Sequence, residues 1–541
     1  MALAFEHPLV ELTSLLVLVG ALVVAAVLIT RYSGHDLLSP VRERFVLGVP
    51  WGTVTVIAGL YLIYYLVQGA GGEGGPIVEG FRSWSLWYPQ GTIFSSFTHA
   101  GDGHIRGNVY GTIAFAPIAE YAWRHYPEDG ARITTPVARI GAFVGAIVLV
   151  GLAGSLFVPG AIIGFSGVVF ALAGFALVVR PLLAVGAMLA IQVVRLVVDA
   201  LFDPVVIAAS QPQFVSPSWA NTALQGHLFG VLVGVLLAVA LFGLRGESPD
   251  IRYVFFAALV FAVTRSLWAV YWFLGADEFV LFQAAGVAGV VVFATLVAFA
   301  TRPAGTRLRS RIGPAIPVRA IAIILLGGVI VVLATSGLVY SIVTVSPGED
   351  LDGGVEVNDY TVAYVDDVED QYIGAVEIPG IGSPLSTNVS GVVVASDQRN
   401  AWGLAISSSQ LAFDGEATVP VGDATWRESV HIDRTEWSFV DGNSTYRVVA
   451  DHDGGHLLHT DSPAEGNATL DDTVVSIEAT DAGYDLLTRQ TGSDTTDRMS
   501  MLESNETADL GGLTFERVEN DLFVSYDETE LRLAEFNRSN R

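Results

Sequence analysis

The feature that most limits what this chain can fold into is a series of long apolar runs, repeated through residues 1–346 and separated by short polar connectors. A bilayer's hydrocarbon core takes roughly 20 apolar residues of helix. On that measure ten spans are expected, at 9–30, 46–68, 104–124, 137–157, 160–179, 181–200, 222–243, 253–274, 278–300 and 319–344. Residues 347–541 contain no comparable run. They read as β-rich instead, because stretches such as TVAYV, SGVVVAS, YRVVA, TVVSIEA and LFVSY gather β-branched residues between Gly, Asp and Asn turn signals.

Charge divides the chain at the same place. Residues 347–541 hold 39 Asp and Glu against 10 Arg, and the first 346 hold 16 acids against 18 Arg. Lys is absent, so all 28 basic residues are Arg. An acidic, Lys-free chain suits solubility in concentrated salt, where self-repulsion is screened, and a halophilic archaeal source is expected. The acidity is then no sign of a ligand. Nucleic-acid binding is disfavoured, since no basic patch lies outside the membrane connectors. With no Cys, disulfides and thiolate metal sites are excluded.

Orientation follows from the arginines. Arg31, Arg42 and Arg44 follow the first run; Arg124, Arg132 and Arg139 the third; Arg180 the fifth; Arg245 and Arg252 the seventh. Arg302, Arg307, Arg309, Arg311 and Arg319 follow the ninth. Five alternate connectors thus agree on one cytoplasmic side, while the others carry Arg82 alone. The expectation is a multi-pass plasma-membrane protein with the N-terminus and residues 347–541 outside. The first run is expected to stay, because MALAFEHPLVE lacks a basic leader and no clean small-residue cleavage site follows. Five Asn-x-Ser/Thr sequons, at Asn388, Asn443, Asn467, Asn505 and Asn537, are glycosylation candidates on an outside domain.

Polar residues inside spans are costly and usually functional. Three sets stand out. GFSGVVF places Ser166 between Gly164 and Gly167; on its own this also reads as a small-residue packing face. ANTALQGHLFGVLVG places His227 on a helix whose Gly226, Gly230 and Gly234 recur every fourth residue; a satisfied core His or a proton relay are the alternatives. THAGDGHIRGNVYG places His104 and Asn108 four apart on one helix face, with His99 before them; an interfacial anchor is the alternative. Taken together the three change meaning. Acyl transfer by Ser needs a base within hydrogen-bond reach, and helix axes usually lie ~8–10 Å apart. Glycines on both helices supply the closeness a short Ser needs, and Asn and His side chains can donate to a developing oxyanion.

These three segments resemble the GxSG, Ala-His-xx-Gly-xxx-Gly and His-xxx-Asn segments of the rhomboid intramembrane serine proteases, in the family's order, with Gly226 where Ala is usual. The resemblance implies a membrane all-α fold, a rhomboid-like six-helix core over 46–243, preceded by an extra helix and basic loop at 1–45 and followed by three further helices at 244–346. About four helices are thus additional to the core, and an acidic β-rich extracellular domain follows at 347–541. It implies Ser166 as nucleophile, His227 as general base and acid, and His104, Asn108 and the Ser166 N–H as oxyanion hole. Gly164, Gly167, Phe170, Gly230 and Gly234 would support the site, Phe170 standing where the family often has Tyr. Glu120 would be structural, and Arg82 only loosely matches the family's Trp-Arg pair. Substrates would be transmembrane proteins cleaved in the bilayer, with no cofactor and no metal. No carboxylate lies near His227 in sequence, so packing must hold its ring.

Two rivals stay open: a catalytically silent helix-binding protein, and a transporter using Arg265 and the intramembrane His residues. Arg195 and Asp199 read as an i,i+4 pair. DHDGGHLLHT, with Asp451, His452, Asp453, His456 and His459, reads as a hairpin turn rather than a metal site.

Overall fold

The computed structural model describes residues 8–32, 39–127, 132–206, 213–220, 223–246, 248–275, 278–303, 317–342, 351, 353–371, 387–467, 469–493, 495–527 and 529–537. Arg307, Arg309 and Arg311 lie outside the described residues. The chain forms two compact units.

The first unit is helical and holds Met1–Ala70, Phe81–Trp272 and Val280–Val343. Its long helices are α1 (Pro8–Tyr32), α2 (Trp51–Leu62), α3 (Asp102–Trp123), α4 (Pro136–Phe157), α5 (Ser166–Val179), α6 (Pro181–Phe202), α7 (Leu224–Arg245), α8 (Ile251–Thr264), α9 (Gln283–Ala300) and α10 (Val318–Ile342). Among the described residues, α4, α6, α7, α9 and α10 are long and apolar enough to cross a membrane, and α1, α2, α5 and α8 contribute shorter apolar stretches. The tenth, α3, carries Asp102, His104, Arg106, Asn108 and Glu120 along one 22-residue helix, which lowers its hydropathy. Local chemistry sets the ends. Thr135 caps α4 by accepting from Ala138 N–H with Pro136 at the first helical position, and Gly246, in a left-handed conformation, closes α7.

Three spans differ from their hydropathy, the ninth among them, since its expected first residues form a strand and its helix starts at Gln283. The fifth, expected from residue 160, becomes helical only at Ser166, because Gly160 and Gly164 adopt φ of +103° and +118°. The eighth, expected to 274, ends at Thr264; Ser266 turns the chain at φ +55°, and the aromatic-rich β1 (Tyr271–Gly275) and β2 (Glu278–Leu281) pair in a two-stranded sheet. A contiguous apolar run need not be one helix.

At one end of the bundle Glu120, fully buried, accepts from Gly52 N–H (2.6 Å), Thr53 N–H (2.9 Å), the Thr53 hydroxyl (2.7 Å) and His125 Nε2 (2.6 Å). It therefore satisfies the orphan donors of the first turn of α2, a structural task.

The second unit comprises Gly71–Gly80, Phe273–Phe279 and Thr344–Arg541. It is β-rich, with β3 (Val355–Val357), β4 (Tyr360–Glu369), β5 (Asn388–Ser396), β6 (Ala401–Ser407), β7 (Glu416–Gly422), β8 (Arg427–Phe439), β9 (Ser444–Asp451) and β10 (Gly455–Thr460). After the short β11 (Ala464–Glu465) come β12 (Thr473–Thr480), β13 (Gly483–Gln490), β14 (Thr496–Ser500), β15 (Glu506–Leu510), β16 (Leu513–Val518), β17 (Asp521–Tyr526) and β18 (Thr529–Asn537). Long β8 joins two hydrophobic cores. Its first half pairs with β7 and buries Val430 and Ile432 in one; its far end pairs with β18 and buries Trp437 and Phe439 in the other. Gly71–Gly80 belongs to this unit by contact. Arg427 and the Ser429 hydroxyl donate to the Glu73 carbonyl, Ile77 is buried, and a Cβ on Gly80 would meet the Gly422 carbonyl and the Tyr360 hydroxyl.

Candidate active site

Ser166 occupies the first position of α5, with no side-chain cap before it. Its backbone N–H is therefore one of the donors that a first helical turn leaves without an intrahelical acceptor, and the positive end of the helix dipole lies there. The turn that delivers it is fixed by Gly164, whose N–H donates to the Ser95 carbonyl at 2.8 Å. With 14 residues, α5 is roughly 21 Å long, short of a ~30 Å hydrocarbon core. The shortfall falls to the loop before Ser166.

Helix α7 lies backbone-to-backbone on α5. A Cβ on Gly230 would overlap the Gly167 carbonyl, one on Gly234 the Ala171 carbonyl, and one on Gly174 the backbone of Val231. On that face of α7 the His227 ring stacks flat on Phe170, centroids 4.0 Å apart and planes 9° from parallel. Phe170 in turn meets Phe261 of α8 edge-on at 5.3 Å. His227 is thus oriented by a stacked aromatic, and its Nδ1 is buried without a hydrogen-bond partner. Among the described residues no hydrogen bond joins Ser166 to His227.

Helix α3 brings the third set. The His104 ring lies so close over Gly164 that a Cβ there would stand 2.5 Å from Cε1 and 2.6 Å from Nε2. One turn along, Asn108 is buried and its Nδ2 has no partner. His99 meets His104 edge-on at 5.2 Å, and both its ring nitrogens are buried without partners. Burial, with His104 as a lesser cause, pushes the His99 imidazole down to about 3, so it is neutral near pH 7.

Ser166 also borders a cavity of about 20 Å³ with Gly164, Gly226, Ile162, Phe229 and Ser96, roomy enough for a single water. Behind it the Ser96 hydroxyl donates to the Gly151 carbonyl (2.7 Å), and Ser95 donates to Ser155 at 2.7 Å. Arg82 Nη1 donates to the Ala161 carbonyl (3.2 Å) and Ser83 N–H to that of Ile162 (3.1 Å), holding the loop that leads to Gly164. A larger cavity of about 360 Å³, with Trp123, Phe143 and Leu241 among its walls, is almost wholly apolar and offers no chemistry.

Residues 84–244 match the family model of the Rhomboid domain. The chain carries a Rhomboid domain. No curated protein and no solved structure matches it. The match takes in α3 to α7. With this domain and its apolar helices, the chain is a multi-pass membrane protein.

Other sequence candidates are dispersed. Instead of pairing with Asp199, Arg195 lies 5.7 Å over the Tyr110 ring, and among the described residues no ion pair joins the two. Arg265 caps the end of α8. The DHDGGHLLHT segment is a β9–β10 hairpin whose ligands diverge: His452 faces Glu428 at 3.5 Å and His459 packs on Tyr364 and Tyr446. Elsewhere Glu416, His431 and Asp433, on β7 and β8, bring one donor atom each within 4.8 Å, with Glu416 exposed. Of the sequon asparagines, Asn388, Asn443, Asn467 and Asn505 are exposed and Asn537 is half-buried. Sequence reading missed Gln68, Ser95, Ser96 and Ser155. Their one signal was polarity beside an apolar run, which a loop residue shares.

Proposed function

We propose that this chain is an intramembrane serine endopeptidase. Ser166 Oγ attacks a substrate carbonyl as His227 takes its proton; the C–N bond then breaks as His227 returns that proton to the leaving amine. Water hydrolyses the resulting ester by the same route in reverse roles. The observation that carries this reading is the set of buried, unpartnered polar groups around Ser166. Asn108 Nδ2 and His227 Nδ1 lack partners, and His104 lies against Gly164. A buried polar atom without a partner costs about 1–3 kcal/mol. Such groups are retained where a substrate supplies the missing acceptor or donor. His104, Asn108 and the Ser166 N–H form the oxyanion hole, where one donor is commonly worth ~2.7–4 kcal/mol. The cavity beside Ser96 holds the hydrolytic water.

Substrates are membrane proteins whose helices unwind at the site, because a regular helix hides its carbonyls. The arginine pattern puts the N-terminus and the acidic β domain of a haloarchaeal protein outside the plasma membrane, where the sequons are open to glycosylation. Fluorophosphonate labelling of the full chain in detergent tests the reading. Wild type labels, while Ser166→Ala and His227→Ala do not. Labelling that survives Ser166→Ala, or no labelling together with no cleavage of a model transmembrane helix, leaves the silent helix-binder or the transporter.

A further inference from the structure

The chain leaves α2 through a π-turn, Ile63–Val67, closed by Gln68 N–H donating to the Ile63 carbonyl at 2.9 Å. One extra residue in a helical turn rotates the next residues about the helix axis by roughly 100°, and single π-turns recur at functional sites. Here the rotation buries Gln68 completely, just after the exposed Tyr65 and Leu66. Its amide serves one residue twice. Nε2 donates to the His99 carbonyl (2.9 Å) and Oε1 accepts from the His99 N–H (2.7 Å). A side chain thus gives an irregular, buried segment the two bonds a neighbouring strand would give. Tyr64 holds the other end of that segment, its hydroxyl donating to Asp102 at 2.8 Å, and its ring meets His99 edge-on at 6.2 Å.

We propose that Gln68 is a positioning residue of the site. It fixes the His99 backbone, the His99 ring bears on His104, and His104 is thereby held over Gly164 at the depth an oxyanion requires. The proposal rests on the reading of His104 as an oxyanion donor. The tolerance is narrow because His104 already sits nearer Gly164 than any side chain on that residue would allow. Removing the amide strands two buried backbone groups; segment 99–102 then shifts to satisfy them and carries both rings with it.

The test is steady-state cleavage of a model transmembrane substrate by the full chain in detergent. Gln68→Met keeps length and removes both bonds. Gln68→Glu keeps the acceptor for His99 N–H while opposing its carbonyl. Because a displacement near 1 Å can cost on the order of 100-fold, Gln68→Met should lower kcat ~10–100-fold with KM little changed, and Gln68→Glu should fall between. In a His104→Ala background the same substitution should cost under ~3-fold, since residues acting as a unit are non-additive. Equal losses in both backgrounds, a loss confined to KM, or wild-type kcat overturns the proposal. Should Gln68→Met fail to fold, Gln68→Glu in both backgrounds decides by the same criteria. A His104→Ala protein with wild-type kcat overturns the oxyanion reading itself, a separate result.

Discussion

The contact between His104 and Gly164 offers the sharpest perturbation. In Gly164→Ala the new methyl would stand 2.5 Å from His104 Cε1. An ordinary contact needs about 3.4 Å, so the ring must withdraw by roughly 0.9 Å, a displacement of the size that costs about 100-fold when reacting groups are involved. A second effect runs alongside, because at φ +118° an alanine is strained by about 1–3 kcal/mol. Gly160 separates the two. It lies in the same loop at φ +103°, and a Cβ there meets nothing within 4 Å. Gly160→Ala should therefore carry the strain without moving His104. The assay is the rate of fluorophosphonate labelling, with thermal unfolding in the same detergent. Gly164→Ala should label ~100-fold more slowly and Gly160→Ala within ~3-fold of wild type, both losing similar stability. Equal labelling rates for the two variants would refute the idea that His104 acts from its place over Gly164.

Three further outcomes are expected. Gly230→Val should cost at least about 1–3 kcal/mol in thermal unfolding by forcing α7 off the α5 backbone, whereas Gly186→Val, on a face with nothing within 4 Å, should be near neutral. Glu120→Ala should cost roughly 3–5 kcal/mol by stranding buried donors of α2 and His125, while the fraction still folded labels normally. For His99, the folded pKa of about 3 lies below the ordinary 6.5, so the unfolded chain binds the proton more readily. Stability should therefore fall as pH drops from 6.5 towards 3, and His99→Phe should flatten that slope in unfolding experiments across the range.

The fold class was legible because bilayer crossing demands length and apolarity, which any sequence displays openly. Chain direction was less so: hydropathy does not register the turn at Ser266 or the non-helical glycines before Ser166. In the candidate site, the four-residue spacing of Gly226, Gly230 and Gly234 already announced a bare helix face, and that face packs on the backbone of α5. Gln68 could not be found that way. Its role depends on a π-turn that changes helical phase, and on a partner 31 residues away reached through backbone atoms rather than side chains. The Ser95–Ser155 hydroxyl pair was hidden for the same reason, being a contact between a loop and a helix that share no sequence pattern.

The presence of Gly71–Gly80 in the β unit bears on how the protein is made. Arg427 reaches a carbonyl 354 residues earlier in the chain, so the ribosome finishes most of the polypeptide before that contact can form. The early segment must wait, already flanked by inserted helices, until the β strands arrive from the opposite terminus. Such distant closure is slow, and it requires residues 71–80 and the β strands to be delivered to one face of the membrane. A chain that delivers the two segments to opposite faces, or that is truncated before β8, leaves residues 71–80 without their β7–β8 partners.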